Sequence, residues 1–254
     1  MPTEALPSGA RDAILANVAR VRGIIDAAAL RGGRDPRGVT LVAVTKYVDP
    51  LMVVCLHDAG LRDFGESTVQ RIASLGSSPL LGGARWHLIG HLQRNKAGRA
   101  VELCSSIHSV DSARLAREIA TQARKRGLPP PELYVEVNAG SEVQKTGVSP
   151  AEAREVLAAL RDEGLLPPGE DGGPSGPGVR GLMTMAPRSD EPEDSRPVFR
   201  RLREMKDAFV VEGLLRPGAG LSMGMSQDLA TAVEEGATSV RVGSILFEGL
   251  LAPS

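Results

Sequence analysis

Residues 41–47 read LVAVTKY, an apolar and β-branched run that stops abruptly on Lys46 and Tyr47. A run without the alternation of a half-exposed strand is the mark of a strand buried on both faces, as in a parallel sheet. Upstream, Ile14, Val18, Val21 and Ile25 recur at helical spacing, which predicts a helix over 10–31 that RGGRDP (31–36) brings to a stop. Downstream the same kind of short run returns. Strands are expected at 39–45, 62–64, 85–89, 106–110, 132–137, 179–183, 220–223 and 239–243, with helices near 50–59, 66–76, 93–103, 112–126, 150–163, 191–213 and 226–235.

Eight strands with a helix in nearly every gap imply parallel pairing. Continuous apolar strands in that number favour a closed (β/α)8 TIM barrel with an extra N-terminal helix over an open doubly wound sheet. The stretch GLLPPGEDGGPSGPGV (164–179) lies between a helix and the next strand, on the side of a barrel away from its reactive face. It reads as a flexible surface insertion, not a domain boundary, so residues 1–254 are taken as one domain.

Composition narrows the function classes. With 42% hydrophobic and 24% charged residues, and no apolar run near the roughly 20 residues of a bilayer span, the chain reads as a soluble globular protein. A formal charge of -1 gives no field to gather nucleic acid or an anionic membrane. The start, MPTEALPSGARD, has no basic-then-apolar leader, and Cys55 and Cys104 form no disulfide framework or metal spacing, so the expected compartment is the cytoplasm.

The reactive face of a parallel barrel lies at the carboxyl ends of its strands. Lys46 closes the first strand, Ser67 follows the second, GHLQRNK (90–96) the third, Ser109 and Asp111 the fourth, and Asn138 the fifth. MTMAP (183–187), MGMS (223–226) and GSILF (243–247) follow the last three. Burial among apolar strands would disfavour the Lys46 ammonium and free its amine to attack a carbonyl, which is Schiff-base chemistry. The alternative is a lysine that snorkels, or that pairs with Asp49 or Glu66. After the last strand, the backbone N–H groups of Gly243 and Ser244 and an ensuing helix suit an anion, at the usual phosphate position of such barrels. Ser226 reads as a helix N-cap with Asp228 in the first turn and Gly236 as the stop, its hydroxyl free either to cap or to bond a phosphate. Arg241 falls two residues before Gly243 on the inward face, where its charge needs an acid or a ligand atom.

LVAVTKY, DFGES (63–67), WHLIGHLQRNK (86–96), IHSVDS (107–112), VNAGSEVQKTG (137–147), GLMTMAP (181–187) and LSMGMSQDLATAVEEGATSVRVGSILF (221–247) stand in this order and spacing. Together, over residues 10–249, they resemble the pyridoxal phosphate homeostasis protein family, barrels similar to the N-terminal domain of alanine racemase. The resemblance implies pyridoxal 5'-phosphate held as a Schiff base on Lys46. It also implies Arg241 facing the pyridine nitrogen and Ser226, Gly243 and Ser244 holding the phosphate. Ser67, His87, Asn138 and Met183 are the expected pocket wall. Where the family has Gly-Glu-Asn-Tyr this chain has Gly65-Glu66-Ser67-Thr68, so Ser67 is a shorter substitute for an asparagine beside the ring; Ser244 replaces a threonine and keeps its hydroxyl.

A cation opposite the pyridine nitrogen disfavours protonation there and makes the ring a poorer electron sink. Alanine racemase completes its site with a tyrosine from a further β-domain, whereas this chain has only Tyr47 and Tyr134 and runs to Ser254. The expectation is therefore a monomeric, non-catalytic carrier that buffers pyridoxal phosphate and delivers it to apo-enzymes. The alternatives are a small racemase-like enzyme on amino acids and a cofactor-free Schiff-base aldolase. His87 and His91 share a zinc-like spacing, but on a strand leading into a loop and with no third ligand nearby, so no metal is expected. RNKAGRA (94–100) reads as a solvated helix face and Glu142 with Lys145 as a solvated loop pair, although both match the family's motifs.

Overall fold

A computed structural model describes residues 9–140, 147–165 and 178–250. Glu142 and Lys145 lie outside the described residues, as does most of the 164–179 insertion. After α1 (Ala10–Arg31) the chain alternates β1 (Thr40–Val44), α2 (Pro50–Asp58), β2 (Asp63–Glu66), α3 (Val69–Gly76), β3 (Arg85–Leu88), α4 (Ala97–Leu103), β4 (Ser106–Val110) and α5 (Ala113–Arg126). It continues with β5 (Glu132–Glu136), α6 (Pro150–Asp162), β6 (Gly178–Met183), α7 (Arg196–Val211), β7 (Gly220–Ser222), α8 (Leu229–Glu234) and β8 (Ser239–Val242), and a 3-10 turn at Ser244–Phe247. The eight strands close in sequence order into a parallel barrel, so the expected fold is the observed one.

Local chemistry sets many of the boundaries. Asp49 accepts from Leu51 N ahead of Pro50, and Ser149 and Glu152 form a reciprocal capping box around Pro150, so α2 and α6 start where an acceptor and a proline coincide. Gly127 takes a left-handed conformation, φ 63°, and ends α5. The expected helix at 226–235 is shorter: α8 begins at Leu229 behind Asp228, whose carboxylate accepts from Met225 N at 2.6 Å.

The β1–β8 seam pairs Thr40 with Ser239, Leu41 with Val240, Val42 with Arg241 and Ala43 with Val242. Helix α1 packs against both α2 and α8 and so spans this seam, in the ring position an eighth βα helix would take. Asn17 Nδ2 donates to the carbonyls of Leu246 and Glu248, and Arg34 to those of Val233 and Ala237, which ties α1 to the last unit. Outward residues Leu41, Phe64, Ile107, Leu133 and Val240 join Ile14, Ile25, Ile72 and Phe199 of the helices in one buried apolar shell. Each such side chain stabilises the fold by roughly 1.5–3 kcal/mol. Among the described residues no helix is long and apolar enough to cross a membrane.

Candidate functional site

The inward series of β1 is Thr40, Val42 and Val44, and alternation carries it one step past the strand to Lys46. Lys46 thus belongs to the mouth of the barrel, but it is exposed, with its ammonium 4.8 Å from the ring centre of Tyr47, itself 84% exposed. The expected desolvation of this lysine is corrected on that ground: β1 ends at Val44, and the buried residue of the turn is Thr45. Thr45 Oγ donates to Glu66 Oε1 at 2.6 Å, and both side chains are fully buried. Burial pushes the Glu66 carboxyl up, against the bond from Thr45 and the charges of Arg71 and Lys46. The residue before the lysine is thereby fastened to the end of β2, a support that the sequence reading did not find.

On the far wall the β7 and β8 loops meet. Gly243 N donates to Ser226 Oγ at 3.3 Å, so Ser226 caps no helix and instead bridges to the turn where an anion was expected. The same loop lies close on α8 at Gly224, whose φ is +94° and where a Cβ would lie 2.5 Å from that of Ala232. Ser244 is exposed at the start of the 3-10 turn, which replaces the helix expected there. Gly243 also packs against Val44, two residues below Lys46, so the lysine turn and the Ser226–Gly243 turn share one rim.

Beneath that rim lies Arg241, 5% exposed. Its guanidinium donates to Ser222 Oγ at 2.6 Å and to Thr184 O at 3.0 Å, both neutral oxygens. Burial pulls its pKa down to about 10, while the nearby charges of Glu136, Asp228 and Tyr134 act the other way. The question of acid or ligand is answered in part: Glu136 and Asp228 act through space, and the described hydrogen bonds go to uncharged groups.

Ser222 leads further down the lumen. Its Oγ lies 2.7 Å from His108 Nδ1, His108 Nε2 lies 2.9 Å from His87 Nδ1, and His87 Nε2 lies 2.9 Å from Asp63 Oδ1. Arg85 grips Asp63 through both carboxylate oxygens, with Nε at 2.7 Å and Nη2 at 2.5 Å. Burial raises the Asp63 carboxyl, but the bonds from His87 and Arg85 outweigh it and hold it at about 2. Full burial keeps His108 well below the ordinary histidine value, and the charge of Arg241 adds to this. The Tyr134 ring stacks on His108 at 4.6 Å between centres.

The wall of the mouth was the expectation for His87, but it lies in the lower lumen: it pairs with Ser106, the first residue of β4, bonds Asp63, the first of β2, and lines the cavity at the strand starts. Met183 is buried and pairs in register with Glu136 and Ser222, which puts it on the inward face near Arg241. Asn138 sits half-buried just past β5, its N–H donating to Val148 O. Ser67 is half-buried past β2, with Gly90 so close that a Cβ there would lie 2.3 Å from the Ser67 carbonyl oxygen. His91 is at the surface beside Asp111, and the described residues hold no cluster of three or more metal-ligating side chains. Asp63, His108 and Ser222 escaped sequence reading. The signal was there as polar residues at inward positions of otherwise apolar strands.

An amine, a buried guanidinium and a hydroxyl beside a backbone turn around one mouth form a donor set that fits a molecule with a carbonyl, a ring base and an anionic group. The family model described as alanine racemase, N-terminal domain, matches residues 11–250. A pyridoxal phosphate homeostasis protein of Pseudomonas aeruginosa is 37% identical over 241 residues, 92% of this chain and 94% of its own length. Its counterpart in Aquifex aeolicus is 36% identical over 231 residues, 91% of this chain and 95% of its own length. The structure of PipY from Synechococcus elongatus, solved with PLP bound, superposes with a TM-score of 0.74 at 33% identity, covering 92% of this chain and 99% of its own.

Proposed function

The chain belongs to the alanine racemase N-terminal domain family and, within it, to the pyridoxal phosphate homeostasis proteins, and from that premise we propose that it binds pyridoxal 5'-phosphate and takes part in its homeostasis. The observation that carries this reading is the convergence of Lys46, Arg241 and the Ser226–Gly243 turn on one end of the barrel. In this reading the Lys46 amine condenses with the aldehyde and one water leaves. Gly243 and Ser244, with Ser226, take the phosphate, and Arg241 faces the ring nitrogen. Ser67, Asn138 and Met183 line the space between. The cofactor supplies a reactive aldehyde and, when attached, an electron sink.

The chain's own residues favour holding over turnover. Arg241 is a donor-only group that keeps a proton off the ring nitrogen and so weakens the sink. The protein is proposed to buffer the free aldehyde in the cytoplasm as a monomer and to pass it to apo-enzymes. Purified protein should take up added pyridoxal phosphate with a visible band that Lys46→Ala abolishes; a wild-type chain without that band overturns the reading. Incubation of the loaded protein with L-amino acids in deuterated water separates carrier from enzyme, since catalytic exchange of the α-proton would refute the carrier.

A further inference from the structure

The lumen chain has a direction. Arg241 can only donate and ionised Asp63 can only accept, so the groups between them are constrained from both ends. Arg241 donates to Ser222 Oγ, which leaves the single serine proton for its other partner, His108 Nδ1. A neutral His108 must then carry its proton on Nε2 and give it to His87 Nδ1. With His87 carrying one proton like His108, that proton sits on Nε2 and goes to Asp63 Oδ1, whereas a second proton on His87 would turn His108 round. All four bonds point the same way, from guanidinium to carboxylate, with no proton missing and none in excess. Any reversal at His108 would aim its Nδ1–H at Ser222 Oγ, which already accepts from Arg241, and would leave the serine proton without this acceptor. At the lower end, Asp63 and His87 face a cavity of about 350 Å³ at the strand starts, which Arg85, Glu132 and Arg180 also line.

We propose that Asp63, His87, His108 and Ser222 form a positioning relay that orients Arg241 from the opposite end of the barrel, anchored on the carboxylate at its base. The proposal rests on the reading that Arg241 faces a bound pyridoxal ring. The four are positioning residues: of the five groups in the chain, Arg241 alone stands where a ring at the mouth would be met. Their effect on a ligand passes through the guanidinium alone.

Two measurements test it. In cofactor-free protein, long-range 1H–15N spectra of the histidines should show His87 and His108 as neutral Nε2–H tautomers, and Asp63→Asn should move the His108 signals although Asp63 does not touch His108. A His108 proton on Nδ1, or His108 signals indifferent to Asp63→Asn, overturns the relay. In loaded protein, Ser222→Ala and Asp63→Asn should both shift the visible maximum, and Ser222→Ala should weaken cofactor retention by about tenfold, the worth of one hydrogen bond to a charged group. Wild-type spectra from both loaded variants also overturn it. Ser222→Ala is a small change that keeps the test alive if Asp63→Asn does not fold. A wild-type chain that takes up no cofactor refutes the carrier reading, and the histidine spectra then judge the relay separately.

Discussion

On the outer face of the sheet, Leu41, Phe64, Ile107, Leu133 and Val240 meet the helices through carbon alone. On the inner face, Asp63, His87, His108, Ser222 and Arg241 meet one another through nitrogen and oxygen. Barrels of this kind are ordinarily filled with branched aliphatic side chains on both faces. The difference teaches that one sheet does two jobs. The shell stabilises the barrel by volume and buried area, whereas the lumen fixes where protons and charges stand beneath the mouth.

The comparison can be broken at the shell first, where the largest effect is expected. Phe199→Ala should cost about 3–5 kcal/mol in urea unfolding, a large part of a typical stability of roughly 5–15 kcal/mol. If it cost no more than a surface change, volume would not be what holds the shell. In the lumen, Ser222→Ala leaves an Arg241 N–H and His108 Nδ1 without their partner, and about 1.5–3 kcal/mol should be lost. The same substitution at a solvent-exposed serine such as Ser244 should be nearly silent, so a silent Ser222→Ala would mean the lumen network contributes nothing.

Acid sharpens the contrast further. The Asp63 carboxyl is held at about 2 against an ordinary 3.8. A depressed folded value means that the unfolded chain binds the proton first. The contribution of Asp63 is therefore whole above about pH 4 and fades as the pH falls towards about 2. Wild-type protein should lose stability more steeply than Asp63→Asn across that interval, and parallel curves would remove Asp63 from the account. The smallest change is expected at the mouth. Lys46→Ala alters an exposed side chain and should move unfolding of the cofactor-free protein by no more than about 0.5 kcal/mol, while the visible band disappears.

The shell was legible in sequence because its information is local. Ile14, Val21 and Ile25 mark α1 by period alone, and the predicted and observed bounds agree at Ala10–Arg31. The lumen was not, because its bonds join residues far apart: His108 finds Ser222 across 114 positions, and only barrel closure brings them together. Lys46 fell between the two cases. Its place at the end of the first strand was legible, but its exposure depended on β1 ending at Val44 and on Thr45 turning outward to Glu66, a tertiary contact. Ser226 misled in another way. Serine before a helix is an N-cap by preference, and here a backbone N–H from the adjacent β8 turn claimed the hydroxyl instead.

Helix α1 lies across the β1–β8 seam and is laced to residues 233–248 by Asn17, Arg34 and the Arg31–Glu234 ion pair. During synthesis β1 emerges some two hundred residues before its partner β8. For that interval the growing sheet has a raw edge at β1, the kind of template on which chains pair wrongly. Helix α1, made first, finds α8 and the Ser244–Phe247 turn only once the last unit is complete, so its docking and the closing of the sheet become one event.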